Sequence, residues 1–155
     1  MTHPLLILFV AILIALLAAP VFAPYDPMST DALATLQPPG REHPLGTDRL
    51  GRDVFSRVLH GGQRTLLLAG LATGIAVFIG GSAGLLAGML PGRVDAIVSI
   101  TTNALLAFPG LLLALVVVTL LRPSALSVAL ATGIALVAPY ARMTRAAVVA
   151  VRGMA

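Results

Sequence analysis

Residues 66–90 read LLLAGLATGIAVFIGGSAGLLAGML, a stretch without a single charged side chain. About 20 helical residues cross a hydrocarbon core of about 30 Å. Within that core every backbone N–H and C=O must be satisfied inside the segment itself. The stretch therefore predicts a membrane-spanning helix. Working outward, three more apolar runs occupy residues 5–23, 96–121 and 125–140. The first two are uncharged and long enough to span, whereas the last is marginal in length. The fold class that follows is all-α, a polytopic transmembrane helical bundle.

Composition points the same way. Hydrophobic residues make up 58% of the 155 positions and charged residues 10%, against about 25% charged in soluble domains. A soluble fold of this length could not bury so much apolar surface. All ten basic residues are arginine, giving a net charge of +4. They sit at the edges of the apolar runs and not in a patch interleaved with aromatics, which argues against a nucleic-acid partner and for membrane lipid. The chain has no cysteine, which excludes disulfides, thiol chemistry and cysteine-type zinc sites. In the first run, Val21-Phe22-Ala23 has the form of a signal-peptide cleavage site. The run is nevertheless long, lacks Arg or Lys ahead of it and would be followed by Pro24, so it reads as an uncleaved anchor.

Arginine close to the end of a span tends to hold that end in the cytoplasm. Arg142, Arg145 and Arg152 follow the last run with no acid among them, which makes the tail cytoplasmic. Four spans then place the N-terminus on the same side and the interlude 24–64 outside. Arg93 supports this topology and Arg122 opposes it. The localisation expected is a bacterial or archaeal plasma membrane, multi-pass, with a cytoplasmic N-terminus. The chain divides at 61/62 into an N-terminal anchor with an external segment (1–61) and a transmembrane domain (62–155).

Within the interlude, Tyr25-Asp26-Pro27 and Gln37-Pro38-Pro39-Gly40 predict an extended path. Over 48–60 the apolar residues Leu50, Val54, Phe55, Val58 and Leu59 share a helical face. The spacing predicts a short surface helix, capped by Thr47 or Asp48 and ended by Gly61-Gly62. It is either a brace or partner surface at the membrane, or a plain amphipathic connector. His43, Asp48, Asp53 and His60 are the only candidates for acid–base or metal chemistry. They lack a spacing such as His-Glu-x-x-His that fixes two ligands on one helix face. No catalytic residue, metal or cofactor is assigned, and an intramembrane enzyme is the outlying alternative.

The spans carry their own signals. Gly80, Gly84 and Gly88 repeat every four residues, a face that allows close helix packing, either static or sliding. Phe108-Pro109-Gly110 predicts a kink in the third span. Asn103 in the same span must meet protein or water. It pairs with a neighbouring helix or touches substrate. Arg142, Arg145 and Arg152 share a face of a helix that continues past the last run, as a cytoplasmic anchor or a lead toward a docking site.

From His43 to Leu66 the chain reads HPLGTDRLGRDVFSRVLHGGQRTL, and later Phe108-Pro109-Gly110-Leu111-Leu112 and Pro139-Tyr140-Ala141-Arg142-Met143-Thr144-Arg145. These segments resemble the inner-membrane permeases of ABC importers for dipeptides, oligopeptides and nickel, specifically the C-type subunit. The resemblance implies a type I ABC importer permease fold with four of the family's six spans present. It also implies a second permease subunit, two cytoplasmic ATPase subunits and an extracytoplasmic solute-binding protein as partners, with no enzymatic chemistry in the chain itself. Asn103, Phe108 and Pro109 would line the substrate path. Arg142 and Arg145 would hold the cytoplasmic helix end near the region that couples to the ATPase. The chain departs from the family pattern at Asn103, where an aspartate is common, at Ile100 and at Ala138. It stops at Arg152-Gly153-Met154-Ala155, before the family's Glu-Ala-Ala coupling loop, which reads as a truncated permease. An inactive fragment or a non-transporting membrane scaffold is the alternative.

Overall fold

The computed structural model describes residues 4–153; Met154 and Ala155, where truncation is read from the sequence, lie outside them. The chain divides into two compact units, Met1–Leu67 and Leu68–Ala155.

In the first unit the apolar run 5–23 forms α1 (Pro4–Leu17) and a short α2 (Ala19–Phe22). This differs from the single span expected. α1 has 14 residues, a length of about 21 Å, and the helix breaks at Ala18 just ahead of Pro20. A proline supplies no N–H to the helical ladder, so the break falls where Pro20 withholds a donor inside the apolar run.

The interlude is tightly folded. A 3-10 turn over Ala32–Ala34 is capped by Asp31, which accepts from the Leu33 amide at 2.9 Å. Thr47 Oγ1 donates to the Ala34 carbonyl and accepts from the Gln37 amide at 2.8 Å. Gly51 adopts φ 71°, and a Cβ there would collide with the Asp31 carbonyl. Asp48 gathers the Leu50 amide at 2.8 Å, Arg52 Nε at 2.8 Å and Arg57 Nη1 at 2.6 Å. Asp53 is buried; it accepts from the Ser56 amide at 2.7 Å and pairs with His43 Nδ1 at 2.9 Å. The His43 ring leans on Tyr25 at a centroid distance of 4.9 Å. His43, Thr47, Asp48, Arg52, Asp53, Ser56 and Arg57 thus close one clasp.

Two boundaries differ from expectation. The helix α3 (Val54–Ile75) starts after Asp53, not at Thr47 or Asp48, because Asp53 is the carboxylate that meets the first-turn amides. It does not end at Gly61-Gly62. Each glycine costs a helix about 1 kcal/mol relative to alanine, but Gly62 lets the Leu16 side chain lie against its backbone, where a Cβ would sit 3.2 Å from Leu16 Cδ1. Gln63 Nε2 also donates to the Leu17 carbonyl at 2.8 Å. The amphipathic stretch is therefore the first part of a longer helix.

The clasp carries a pH dependence. The Arg52 side chain bonded to Asp48 holds that carboxyl at about 2. Burial pushes Asp53 up, but the bonds from Ser56 and His43 outweigh it and leave it lowered. Both groups bind a proton more readily when unfolded, so their stabilisation is full above about pH 4, the ordinary carboxylate range, and is lost as the pH falls through each lowered value, for Asp48 about 2. The amide proton shifts of Leu50 and Ser56, both bonded to these carboxylates, are expected to stay constant from neutrality to about pH 4 and to move only below it.

In the second unit, α3 passes through a π-helical turn (Ala76–Gly81) into α4 (Ser82–Met89), so that Val54–Met89 is one helix of 36 residues. A turn at Pro91 and Gly92 leads to α5 (Arg93–Leu106), α6 (Gly110–Leu121) and α7 (Ala125–Arg152). Gly92 takes φ 103°, a conformation that suits glycine. α7 opens with a reciprocal cap: Ser124 Oγ accepts from the Ser127 amide at 3.0 Å and Ser127 Oγ from the Ser124 amide at 2.8 Å. The described residues contain two helices long and apolar enough to cross a membrane, Val54–Met89 and Ala125–Arg152, or three if the bent pair α5–α6 is one span.

Packing here is inverted relative to a soluble core. The buried residues are small: Ala72, Ala76, Gly80, Gly84, Ala87, Gly88, Ala129, Ala131, Ala138 and Ala141. Large apolar side chains face out, with Phe78 80% and Leu111 88% exposed. Lipid solvates such side chains, so association rests on close backbone approach. A Cβ on Gly80 would meet Val137 and Tyr140; on Gly84, Ala141 and Thr144; on Gly88, Val148. Gly133 on α7 returns the fit, a Cβ there lying 3.0 Å from Ile75 Cβ. A strict four-residue repeat drifts about 40° per step around an α-helix. The wider π turn at 76–81 takes back part of that drift, keeping Ala72, Ala76, Gly80, Gly84 and Gly88 against α7.

Candidate functional site

The five residues singled out from the sequence fall into two groups. Asn103, Arg142 and Arg145 meet between α5 and α7. Arg142 Nη2 donates to Asn103 Oδ1 at 2.8 Å. One turn away Arg145 forks onto Asp95, with Nη2 on Oδ2 at 2.7 Å and Nε on Oδ1. Ser99 Oγ joins from the same helix face at 3.2 Å from Asp95 Oδ1. Ser99, Asn103, Arg142 and Arg145 line a hollow of about 140 Å³ together with Val98, Thr102 and Ala141. Asn103 thus makes a helix-to-helix hydrogen bond.

Asp95 and Ser99 are neighbours of these residues that are not among the candidates from the sequence. Their signal was available: Asp95, Ser99 and Asn103 stand four apart, on one face of α5. Arg152 also has a partner, donating from Nη1 to the Gly88 carbonyl at 2.8 Å and to Met89 at 3.2 Å. A guanidinium there meets the unpaired carbonyls and negative dipole end of α4. All three arginines of the face thus tie α7 to its neighbours.

Asp95 and Arg145 are half-buried and partly screened by solvent, so the net strength of the pair is modest. Asp95→Asn and Arg145→Gln are each expected to loosen the α5–α7 contact. The double variant should be no worse than either single one in detergent melting, the non-additivity of groups that act as a pair.

Phe108 and Pro109 lie elsewhere, at the corner between α5 and α6. The kink expected there is a break of 87°. Pro109 has ψ 124°, outside the helix, and its carbonyl starts α6 by accepting from Leu112 at 2.9 Å and Leu113 at 3.1 Å. Phe108 and Pro109 are exposed and face a cavity of about 430 Å³ whose other walls include Leu105, Thr132, Leu136 and Pro139. A broken helix frees backbone N–H and C=O groups. At membrane depth such groups persist only against protein or a water-filled cavity.

His43 and Asp53 belong to the clasp, Asp48 is held by Arg52 and Arg57, and His60 Nδ1 donates to the Ser56 carbonyl at 3.0 Å. None of the four is aimed at a shared reaction centre. No group of three or more metal-ligating side chains occurs among the described residues.

No protein-family model matches the chain. Among individual proteins, it is 37% identical over 146 residues to the probable D,D-dipeptide transport system permease protein DdpC of Escherichia coli, covering 94% of this chain and 49% of that protein. It is 35% identical over 149 residues to the dipeptide transport system permease protein DppC of Haemophilus influenzae, covering 92% and 50%. Identity to the glutathione transport system permease protein GsiD of Pectobacterium atrosepticum is 37% over 140 residues, covering 89% and 46%. The chain spans about half the length of the curated relatives it matches. These relatives are transport components and not enzymes, and with the outward-facing apolar helices they make this a membrane-embedded protein. Over the residues it contains, the chain is similar along nearly its whole length to peptide transport-system permeases.

Proposed function

We propose that this chain forms part of the translocation path of an ATP-driven ABC importer for peptides, as one of its two permease subunits. The observation that carries the reading is the match of 94% of the chain to a peptide-transport permease. The broken α5–α6 pair beside a cavity supports it. In this reading the N-terminus is cytoplasmic, the clasp lies outside, and residues 62–155 belong to the type-1 transmembrane domain. Phe108 and Pro109 stand along that cavity wall, and Asn103, in the hollow between α5 and α7, is assigned to the same substrate path. Arg142 and Arg145 fix the inner end of α7 near the region that couples to the ATPase.

The partners are a second permease subunit, two cytoplasmic ATPase subunits and an extracytoplasmic binding protein that delivers peptide. The chain supplies a passage and no bond chemistry. Transport requires two packings within a few kcal/mol of each other, biased in turn by the loaded binding protein and by ATP. Deleting the gene that encodes this segment in its own host tests the assignment. Energy-dependent uptake of a labelled dipeptide should fall to background and return when the gene is restored. Unchanged uptake, with the other peptide permeases of the host also removed, contradicts it.

A further inference from the structure

We infer that the start of α3 carries a phosphate-binding site that holds an anionic headgroup where the helix enters the bilayer. Arg57, His60 and Arg64 stand three and four residues apart, so they share one face of α3. With Pro27, Met28 and Gly61 they enclose a hollow of about 160 Å³. That is below the size of pockets for drug-sized ligands, and it suits a single anionic group. No Asp or Glu is among the residues lining it.

The basic groups differ in their commitments. Arg57 spends Nη1 on Asp48 and keeps its other donors. His60 is oriented by its bond to the Ser56 carbonyl, which leaves Nε2 as the free edge. Arg64 is exposed. It is also the last charged residue before the uncharged run to Met89, which fixes its depth at the boundary between water and hydrocarbon. Arginine suits the site because its planar fork meets two phosphate oxygens at once. Met28, 69% exposed, offers an apolar surface beside the hollow for the start of an acyl chain. The shared chemistry is a phosphate, supplied by a phospholipid headgroup or by a free anion.

Native mass spectrometry of the purified chain in detergent, doped with phosphatidylglycerol, tests this. The wild type should retain the lipid about fivefold better than Arg64→Gln, the loss of one interfacial arginine. Diacylglycerol, which lacks the phosphate, should be retained weakly and equally by both. Displacement of the phospholipid by inorganic phosphate assigns the site to the free anion; resistance to displacement assigns it to lipid. Equal retention of phosphatidylglycerol by wild type and Arg64→Gln overturns the site, as does retention of diacylglycerol as strong as that of phosphatidylglycerol. Circular dichroism of Arg64→Gln, expected to match the wild type, excludes misfolding as the cause of a loss.

Discussion

Replacing Gly84 by leucine is expected to lower the melting temperature of the detergent-solubilised chain by about 10 °C or more. A Cβ at this position already meets the Ala141 carbonyl and lies 2.9 Å from Thr144 Cβ. Neither neighbour can rotate away, since one is helix backbone and the other is the first atom of a branched side chain. Overpacking a tolerant core costs about 1–3 kcal/mol. Here α7 as a whole would have to retreat, which also breaks the fit at Gly80 and Gly88, so a cost of about 3 kcal/mol or more is expected. Gly70→Ala supplies the contrast. Nothing lies within 4 Å of a Cβ at Gly70, and alanine is the better helix former by about 1 kcal/mol. That variant should melt at or slightly above the wild-type temperature. Size-exclusion profiles of a fluorescent fusion after heating read both. Equal melting of the two variants would mean that α4 and α7 do not touch along this face.

The second large effect is local. Asp53→Ala removes the cap of α3 and leaves His43 without its carboxylate. A lost cap costs about 1 kcal/mol and a lost charged hydrogen bond about 2 kcal/mol. Together about 3 kcal/mol should open the clasp about a hundredfold more often. Trypsin cleavage after Arg41 and Arg49, both exposed, should accelerate by a similar factor when reclosing outpaces cleavage. Asp53→Asn keeps a capping oxygen and loses only the charge, so its cleavage rate should fall between. A wild-type rate for Asp53→Ala would show that the clasp does not depend on this carboxylate.

Much of the fold was legible because membrane helices follow from hydropathy alone. The runs at 66–90 and 125–140 appear as parts of Val54–Met89 and Ala125–Arg152. The small-residue face of Gly80, Gly84 and Gly88 was visible as a repeat, and its partner on α7 was not, because a repeat does not name what packs against it. Boundaries failed where a single bond decides them. Asp48 and Asp53 are both good caps in sequence, but Asp48 caps the turn at 48–52 through the Leu50 and Arg52 amides, and Asp53 starts α3. Gly61-Gly62 looked like a stop, yet Gly62 is the place where Leu16 docks.

Prolines divide in the same way. Pro109 breaks its helix by 87° beside Gly110, where no atom lies within 4 Å of the place a Cβ would take. Pro139 stays inside α7, held by the packing of Val137 and Tyr140 on Gly80. Of the site, Asn103 lay open between two readings, neither of which named Arg142 as its partner. Asp95 is not among the candidate site residues, because nothing near it in sequence names a partner. Its role depends on Arg145, fifty residues away.

Because the chain contains no cysteine, single substitutions can report where each part lies. Cysteine placed at Thr30 in the clasp and at Ala150 on α7, both exposed, should behave oppositely toward a membrane-impermeant maleimide. The expected result is labelling at Thr30→Cys in intact cells and at Ala150→Cys only after permeabilisation. Labelling of both positions in intact cells, or recovery of the chain in the soluble fraction, would contradict a permease threaded through the membrane.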